Sequence, residues 1–470
     1  MNAINQEPAL ADVFPRANEA QWRKASLAAL KGAPFDSLIS HIGAGIELQP
    51  LYARLTEDRP RPWRRAAGAW RVCARVDHPD AETASDLLRA DLDNGADAIH
   101  FVFAGAAGAY GFGLPTSREA LTTVVNSLAL DSPPAIEIDL PWRGRACADE
   151  LARAIEAAHV DPASCRVSFG LDPLGDIARG GGSATPWTAA APELAALARA
   201  LAGRGWRGRF ALADGRIVAA AGGSPARELA YVLSCALSCW RALEEGEVDT
   251  GQALEMIGFR LSVDADQFVS IAKMRAMRRL WARVEQASGF TPTPIHIHAE
   301  TAWRMMAARA PWNNLLRTTL AIFAAGVGGA DAISTLPFTQ AIGLPDAAAR
   351  RLARNSQLLL LEEAHIAQCA DPAGGAGGIE ALTDTLCATA WRLFQEIERV
   401  GGIAGSLAIG AFQADVAADR ATQGPRQIIG VTEFPNSEET PVVVLSPLPA
   451  AIPLAPGALA AGRDAEASGA

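Results

Sequence analysis

A chain whose hydrophobic period keeps switching between two and nearly four residues has few folds open to it. From residue 69 onward, short runs of apolar and β-branched residues alternate with longer Ala/Leu/Arg stretches of helical spacing. Eight strand candidates emerge: Ala69–Val76, Ala98–Ala104, Ala135–Leu140, Arg166–Phe169, Arg209–Ala213, Phe259–Val263, Pro294–Ala299 and Ala332–Phe338. Between them the spacing predicts helices, among them Ala81–Asn94, Ala148–Ala158, Pro192–Ala202, Pro225–Glu245 and Asp266–Ala287. In the last, Phe268, Ala272, Ala276, Leu280 and Val284 recur every four residues and predict one buried face, with Lys273, Arg275, Arg279 and Arg283 largely off it. Doubly wound sheets also alternate, but a count of eight favours an α/β fold of the (β/α)8 TIM-barrel type.

The flanks differ from this body. Residues 1–62 read as an N-terminal arm and linker: a short helix over Trp22–Leu30, an extended segment Ile46–Tyr52, and a Pro-broken charged stretch Thr56–Pro62. Residues 63–403 hold the barrel and two trailing helical blocks, Ala347–Gln368 and Ile379–Val400. A helical and irregular C-terminal extension fills 404–470, with a possible strand at Gln427–Val431 and an end, from Gly462, expected to be disordered.

Charge and cysteine usage exclude several classes. The net charge of −10 argues against a broad phosphate-binding surface, hence against nucleic acid, and leaves room only for a local basic patch. Apolar runs such as Leu320–Val327 fall far short of the ~20 residues a bilayer requires, so no membrane span is expected. Seven dispersed cysteines and a start lacking signal-peptide features fit the cytoplasm.

Candidate chemistry is sparse. His296 and His298 sit at alternate positions of the seventh strand candidate and share one face, which Glu300 continues. They are either metal ligands or polar lumen groups bonded to one another, part of a pocket. Glu362 and Glu363 point about 100° apart on a helix and cannot share a site. Cys235 and Cys239 lack a second pair for zinc, and Ser234 and Ser238 lack a nucleophile elbow; both pairs read as helix packing. No Gly-rich stretch forms a phosphate-binding motif.

Longer segments carry more. Ala310-Pro311-Trp312-Asn313-Asn314-Leu315-Leu316-Arg317-Thr318-Thr319, then Gly328-Gly329-Ala330-Asp331-Ala332, Arg354-Asn355-Ser356-Gln357, and Asp371-Pro372-Ala373-Gly374-Gly375 follow in order. Together they resemble the methylmalonyl-CoA mutase family, as do Ile271-Ala272-Lys273-Met274-Arg275 and Ile429-Gly430-Val431. The resemblance implies interconversion of methylmalonyl-CoA and succinyl-CoA with adenosylcobalamin, inside a barrel that sequesters a radical around the CoA ester. It also implies a separate cobalamin domain with a D-x-H-x-x-G motif. That motif is not found here, and the stretch after Val431 is shorter than the ~100 residues such a domain needs.

Catalytic groups of the family are missing too. Its R-x-Y-A-G tyrosine corresponds to Cys73, and the histidine that contacts the thioester carbonyl falls near Ile217. Isoleucine can neither donate to that oxygen nor polarise it. In the H-x-Q-T-S-G stretch His298 is kept and Glu300 replaces glutamine; Gly377 and Gly378 replace aromatics. The resemblance therefore implies the family's small subunit, inactive alone: no cofactor of its own, no metal, and a catalytic large subunit as partner, which carries the cobalamin and is wrapped by the arm. The complex would be an isomerase of propionate metabolism. The alternatives are an active barrel subunit whose cobalamin domain is a separate chain, and an acyl-CoA sensor.

Overall fold

In the computed structural model, residues 17–42, 45–53, 66–128, 133–424, 426–436, 438–439, 441–450 and 454–467 are described. The charged linker Thr56–Pro62 lies outside them. Eight parallel strands close into a barrel: β1 Arg71–Val76, β2 Ala98–Val102, β3 Ala135–Asp139, β4 Val167–Leu171, β5 Gly208–Asp214, β6 Ile257–Val263, β7 Ile297–Thr301 and β8 Ala332–Ser334. Each strand pairs with its neighbour in chain order, and β8 closes the ring by pairing Ala332 with Arg71 on one side and with His298 on the other. The (β/α)8 reading is thus correct. Its strand ends differ where a polar turn follows: β8 stops at Ser334 rather than Phe338, and β7 runs on to Thr301.

The helices end where their sequence signals lie. Ser224 caps Pro225–Glu245 through the Arg227 amide, proline occupies the first turn and Gly246 follows the last. Asp266 caps Gln267–Ala287 in the same way. That helix corrects one expectation. Phe268 is 55% exposed, whereas Lys273, Arg275 and Arg278 are buried. Helices 225–245, 313–328 and 377–399 cover it on several sides, so its basic residues face carboxylates. Lys273 pairs with Glu228, and Arg275 with Glu380 at 2.6 Å and Asp371 at 3.1 Å.

The trailing helices depart from expectation at two points. The helix from Ala347 ends at Leu358 and passes into a π turn over Leu359–Glu363, where Glu362 and Glu363 are both exposed. Gln427–Val431 forms no strand, only an isolated bridge from Ile429 to Glu433.

Outside the barrel, the arm forms a helix, Glu19–Ala29, and a hairpin of Ser40–Ile42 with Ile46–Leu48. Its Ile46 is buried, and Tyr52 and the Ala53 carbonyl lie against Gly377, where a side chain would collide, with the Tyr52 ring also beside Gly378. At the other end the tail is ordered where disorder was expected. Ser446–Pro447 pairs antiparallel with Gly343–Leu344, the Leu459 amide donates to Ala178, the Gly462 amide to Ala220, and Asp464–Ala467 is a helical turn. Residues 445–450 and 454–467 therefore lie across the loops at the C-terminal mouth of the barrel.

The barrel lumen as candidate functional site

Alternate residues of a barrel strand point inward. On β1 these are Cys73 and Arg75, on β3 Glu137 and Asp139, on β6 Arg260, and on β7 His298 and Glu300. They meet. Glu300, without solvent exposure, accepts from Arg75 Nη1 at 3.1 Å, from Arg216 Nη1 at 2.8 Å and from the Tyr110 hydroxyl at 3.1 Å. Arg75 also donates to Asp77 at 2.7 Å and to the Gly108 carbonyl. Arg216, at the start of the short helix Arg216–Ala221, reaches Asp139 at 2.7 Å and Asp214 at 2.5 Å.

A neutral relay lies beneath. Arg260 Nε donates to His298 Nδ1 at 2.9 Å, so the His298 proton sits on Nε2 and is given to Ser334 Oγ at 2.8 Å. The Ser334 hydroxyl then donates to His100 Nδ1 at 2.9 Å. Burial, with the positive charge of Arg260 close by, pushes both imidazoles well below their usual pKa and keeps them neutral. Burial disfavours ionised Asp139, but Arg216 and Arg260 outweigh it and hold its carboxyl below the ordinary range. For Glu137 the same penalty is outweighed by His296 and Arg260.

The three predicted lumen groups therefore do different things. His296 precedes β7 and bonds Glu137 at 2.8 Å; His298 joins the relay; Glu300 is the hub of the ion pairs. Among the described residues, no group of three or more His, Cys, Asp and Glu side chains is placed to hold a metal ion. Cys73 is buried beside Ala98 and Ala332, with its thiol pushed up by burial. Ile217 is buried against Gly175 at the mouth, while its neighbour Arg216 enters the lumen.

Above this layer Tyr110 stacks on Trp303 at 4.6 Å, and the Arg463 guanidinium of the tail lies 5.0 Å from the Trp303 ring. The lumen is thus packed with the chain's own side chains. Arg75, Arg216, Arg260, His100, His298 and Glu300 are each 4% exposed or less.

Comparison with known proteins matches the methylmalonyl-CoA mutase family model to residues 66–452. The chain belongs to the methylmalonyl-CoA mutase family. A protein of Streptomyces virginiae named methylmalonyl-CoA mutase small subunit is 37% identical over 94% of this chain and 74% of its own length. The small subunit of Propionibacterium freudenreichii subsp. shermanii is 31% identical, over 97% of this chain and 74% of that protein. A probable small subunit of Mycobacterium tuberculosis is 37% identical over 80% of this chain, but only 61% of its own length is matched. The human mitochondrial methylmalonyl-CoA mutase aligns at 32% over 48% of this chain and 32% of its own length.

Proposed function

We propose that this chain is the non-catalytic small subunit of a heterodimeric, adenosylcobalamin-dependent methylmalonyl-CoA mutase, and that it stabilises a catalytic large subunit. The observation that carries this reading is the packed lumen. An enzyme that closes a barrel around a thioester needs that space for substrate, and reaction centres of such barrels lie at the C-terminal mouth. Here five buried carboxylates, Asp77, Glu137, Asp139, Asp214 and Glu300, are tied to Arg75, Arg216, Arg260 and His296, and the tail crosses the mouth. Opening it would strand charges in a low-dielectric interior, which costs several kcal/mol per ion. In this reading Cys73 and Ile217 mark lost catalytic positions, and His296, His298 and Glu300 are what remains of the pocket.

Adenosylcobalamin supplies a homolytically cleaved Co–C bond when bound, and the residues present do not fit it. His100 and His298 are buried and bonded to Ser334 and Arg260, so neither is available to ligate cobalt. Tyr110 is spent as well, stacked on Trp303 and bonded to Glu300. No step of the isomerisation is routed through this chain, and the cofactor is assigned to the partner. The arm supports a partner role: beyond buried Ile46 its helix Glu19–Ala29 buries none of its residues within this chain. All seven cysteines are unpaired, which suits the cytoplasm.

The test is mutase activity of this chain alone, of the large subunit alone, and of both, each with adenosylcobalamin, with the mass of each sample measured in parallel. A 1:1 complex and activity only where the large subunit is present are expected. Turnover by this chain with only a free cobalamin-binding chain would overturn the reading in favour of an active barrel.

A further inference from the structure

At the tail's last helical turn, outside the lumen, the chain builds a cavity of about 300 Å³ walled by four guanidinium groups: Arg304, Arg420, Arg426 and Arg463. They come from four places: the turn after β7, the helix Ala411–Thr422, the segment after it, and the tail. Gathering four cations costs mutual repulsion unless something negative sits among them. Among the described residues the one carboxylate in the wall is Asp464, which meets Arg304 at 2.5 Å and Arg426 at 3.2 Å. Two of the arginines are fixed in place. Arg304 is held by Asp464 and Gln423, and Arg463 by the Ala341 carbonyl, Glu466 and the Trp303 ring. The other two are less restrained. Arg426 is half-exposed, and among the described residues no carboxylate lies within ion-pair distance of the Arg420 guanidinium.

We propose that this cavity binds the phosphate groups of a phosphate-bearing small molecule, with Asp464 yielding Arg426 to it. The chemistry favours phosphate. Guanidinium forks match its oxygens two at a time, and four of them converge on one concave space. Gly222, Gly424 and Gly462 complete the wall and let a ligand approach the backbone. A cavity this size holds one or two phosphoryl groups. Because Arg463 belongs to the tail and Arg304 and Arg420 to the barrel body, an occupant bridges the two and pins the tail over the mouth. The site is independent of whether the chain is catalytically silent.

The test is calorimetric titration of the full chain at low ionic strength with pyrophosphate and, separately, with a nucleoside triphosphate. Saturable binding is expected. Arg420→Ala should weaken it at least about 10-fold, the loss of one charge-assisted contact. Asp464→Asn should tighten it several-fold by removing the internal competitor, and Arg118→Ala, an exposed arginine elsewhere, should leave it unchanged. Equal affinity for both probes would mean that the phosphates alone are read; a nucleotide preference of about 10-fold would add a base or ribose contact. Either supports the site. Protection of the tail from limited proteolysis by either probe supports the bridge. Absence of binding at millimolar probe overturns the proposal, as does equal weakening by Arg420→Ala and Arg118→Ala.

Discussion

Glu300→Gln isolates the electrostatic role of the lumen. The change keeps the shape of the side chain and opens no cavity, but removes one charge from a point in contact with two buried arginines. Glu300 Oε1 lies 2.8 Å from Arg216 and Oε2 lies 3.1 Å from Arg75. Removing one partner of a buried pair costs about 3–5 kcal/mol, because the remaining charge is left without compensation. Here the low end applies. Arg75 keeps Asp77 and Arg216 keeps Asp139 and Asp214, so neither arginine is abandoned. One amide N–H, however, must face a guanidinium. We expect a loss of about 3 kcal/mol, read in urea as a midpoint about 1 M lower at unchanged slope for a slope of about 3 kcal/mol/M. A double-mutant cycle with Arg216→Met locates the effect: the double variant should lose well under the sum of the two single losses. A Glu300→Gln variant within about 0.5 kcal/mol of the parent, or strict additivity in the cycle, would refute the claim that the lumen is held by charge compensation.

Acid should destabilise the fold through two buried histidines. His100 and His298 are held neutral in the folded state, whereas unfolded histidine takes a proton below about pH 6.5. Unfolding therefore binds two more protons there, and stability falls by about 2–3 kcal/mol between pH 7 and 5.5; a urea midpoint that is flat over that interval would contradict it. Gly170→Ala should cost more than about 3 kcal/mol, since the residue has φ +66° and its added methyl would strike the Ile138 carbonyl; a melt within a few degrees of the parent would be the contrary result. Of the seven thiols only Cys369 is exposed, and burial pushes Cys387 up to about 11. A thiol reagent at pH 7.5 should therefore modify one cysteine quickly, and two or more fast equivalents would be the contrary result.

How far the fold could be read ahead depended on where each signal originates. Pro225–Glu245 matches its predicted bounds because Ser224, Pro225 and Gly246 act locally, through caps and fixed φ. The burial of Lys273 and Arg275 was not legible, because their partners are distant in the chain: Glu228 on helix 225–245 for Lys273, and Glu380 on helix 377–399, about a hundred residues away, for Arg275. The lumen lies between these cases. The i, i+2 reasoning that placed His298 and Glu300 on one face applies equally to Cys73 and Arg75, and to Glu137 and Asp139, and would have brought four more groups inside. Arg216 could not be found this way. It lies on a helix start, next to the Ile217 position that the family resemblance singled out. Tail order escaped detection because it rests on backbone bonds to Ile342, Ala178 and Ala220.

The hub of the barrel also dictates an order of assembly. Arg75 and Glu300 are separated by 225 residues of chain, yet neither is dehydrated cheaply without the other. A nascent chain that has emerged only as far as β6 carries Arg75, Arg216 and Arg260 with the hub carboxylate still absent. Its half-built barrel must keep water between the strands. Drying is thereby postponed until β7 arrives, and β8 then seals the ring in one late, cooperative step. Truncation before residue 300 should leave a wet, open sheet that recruits chaperones, not a smaller version of the fold.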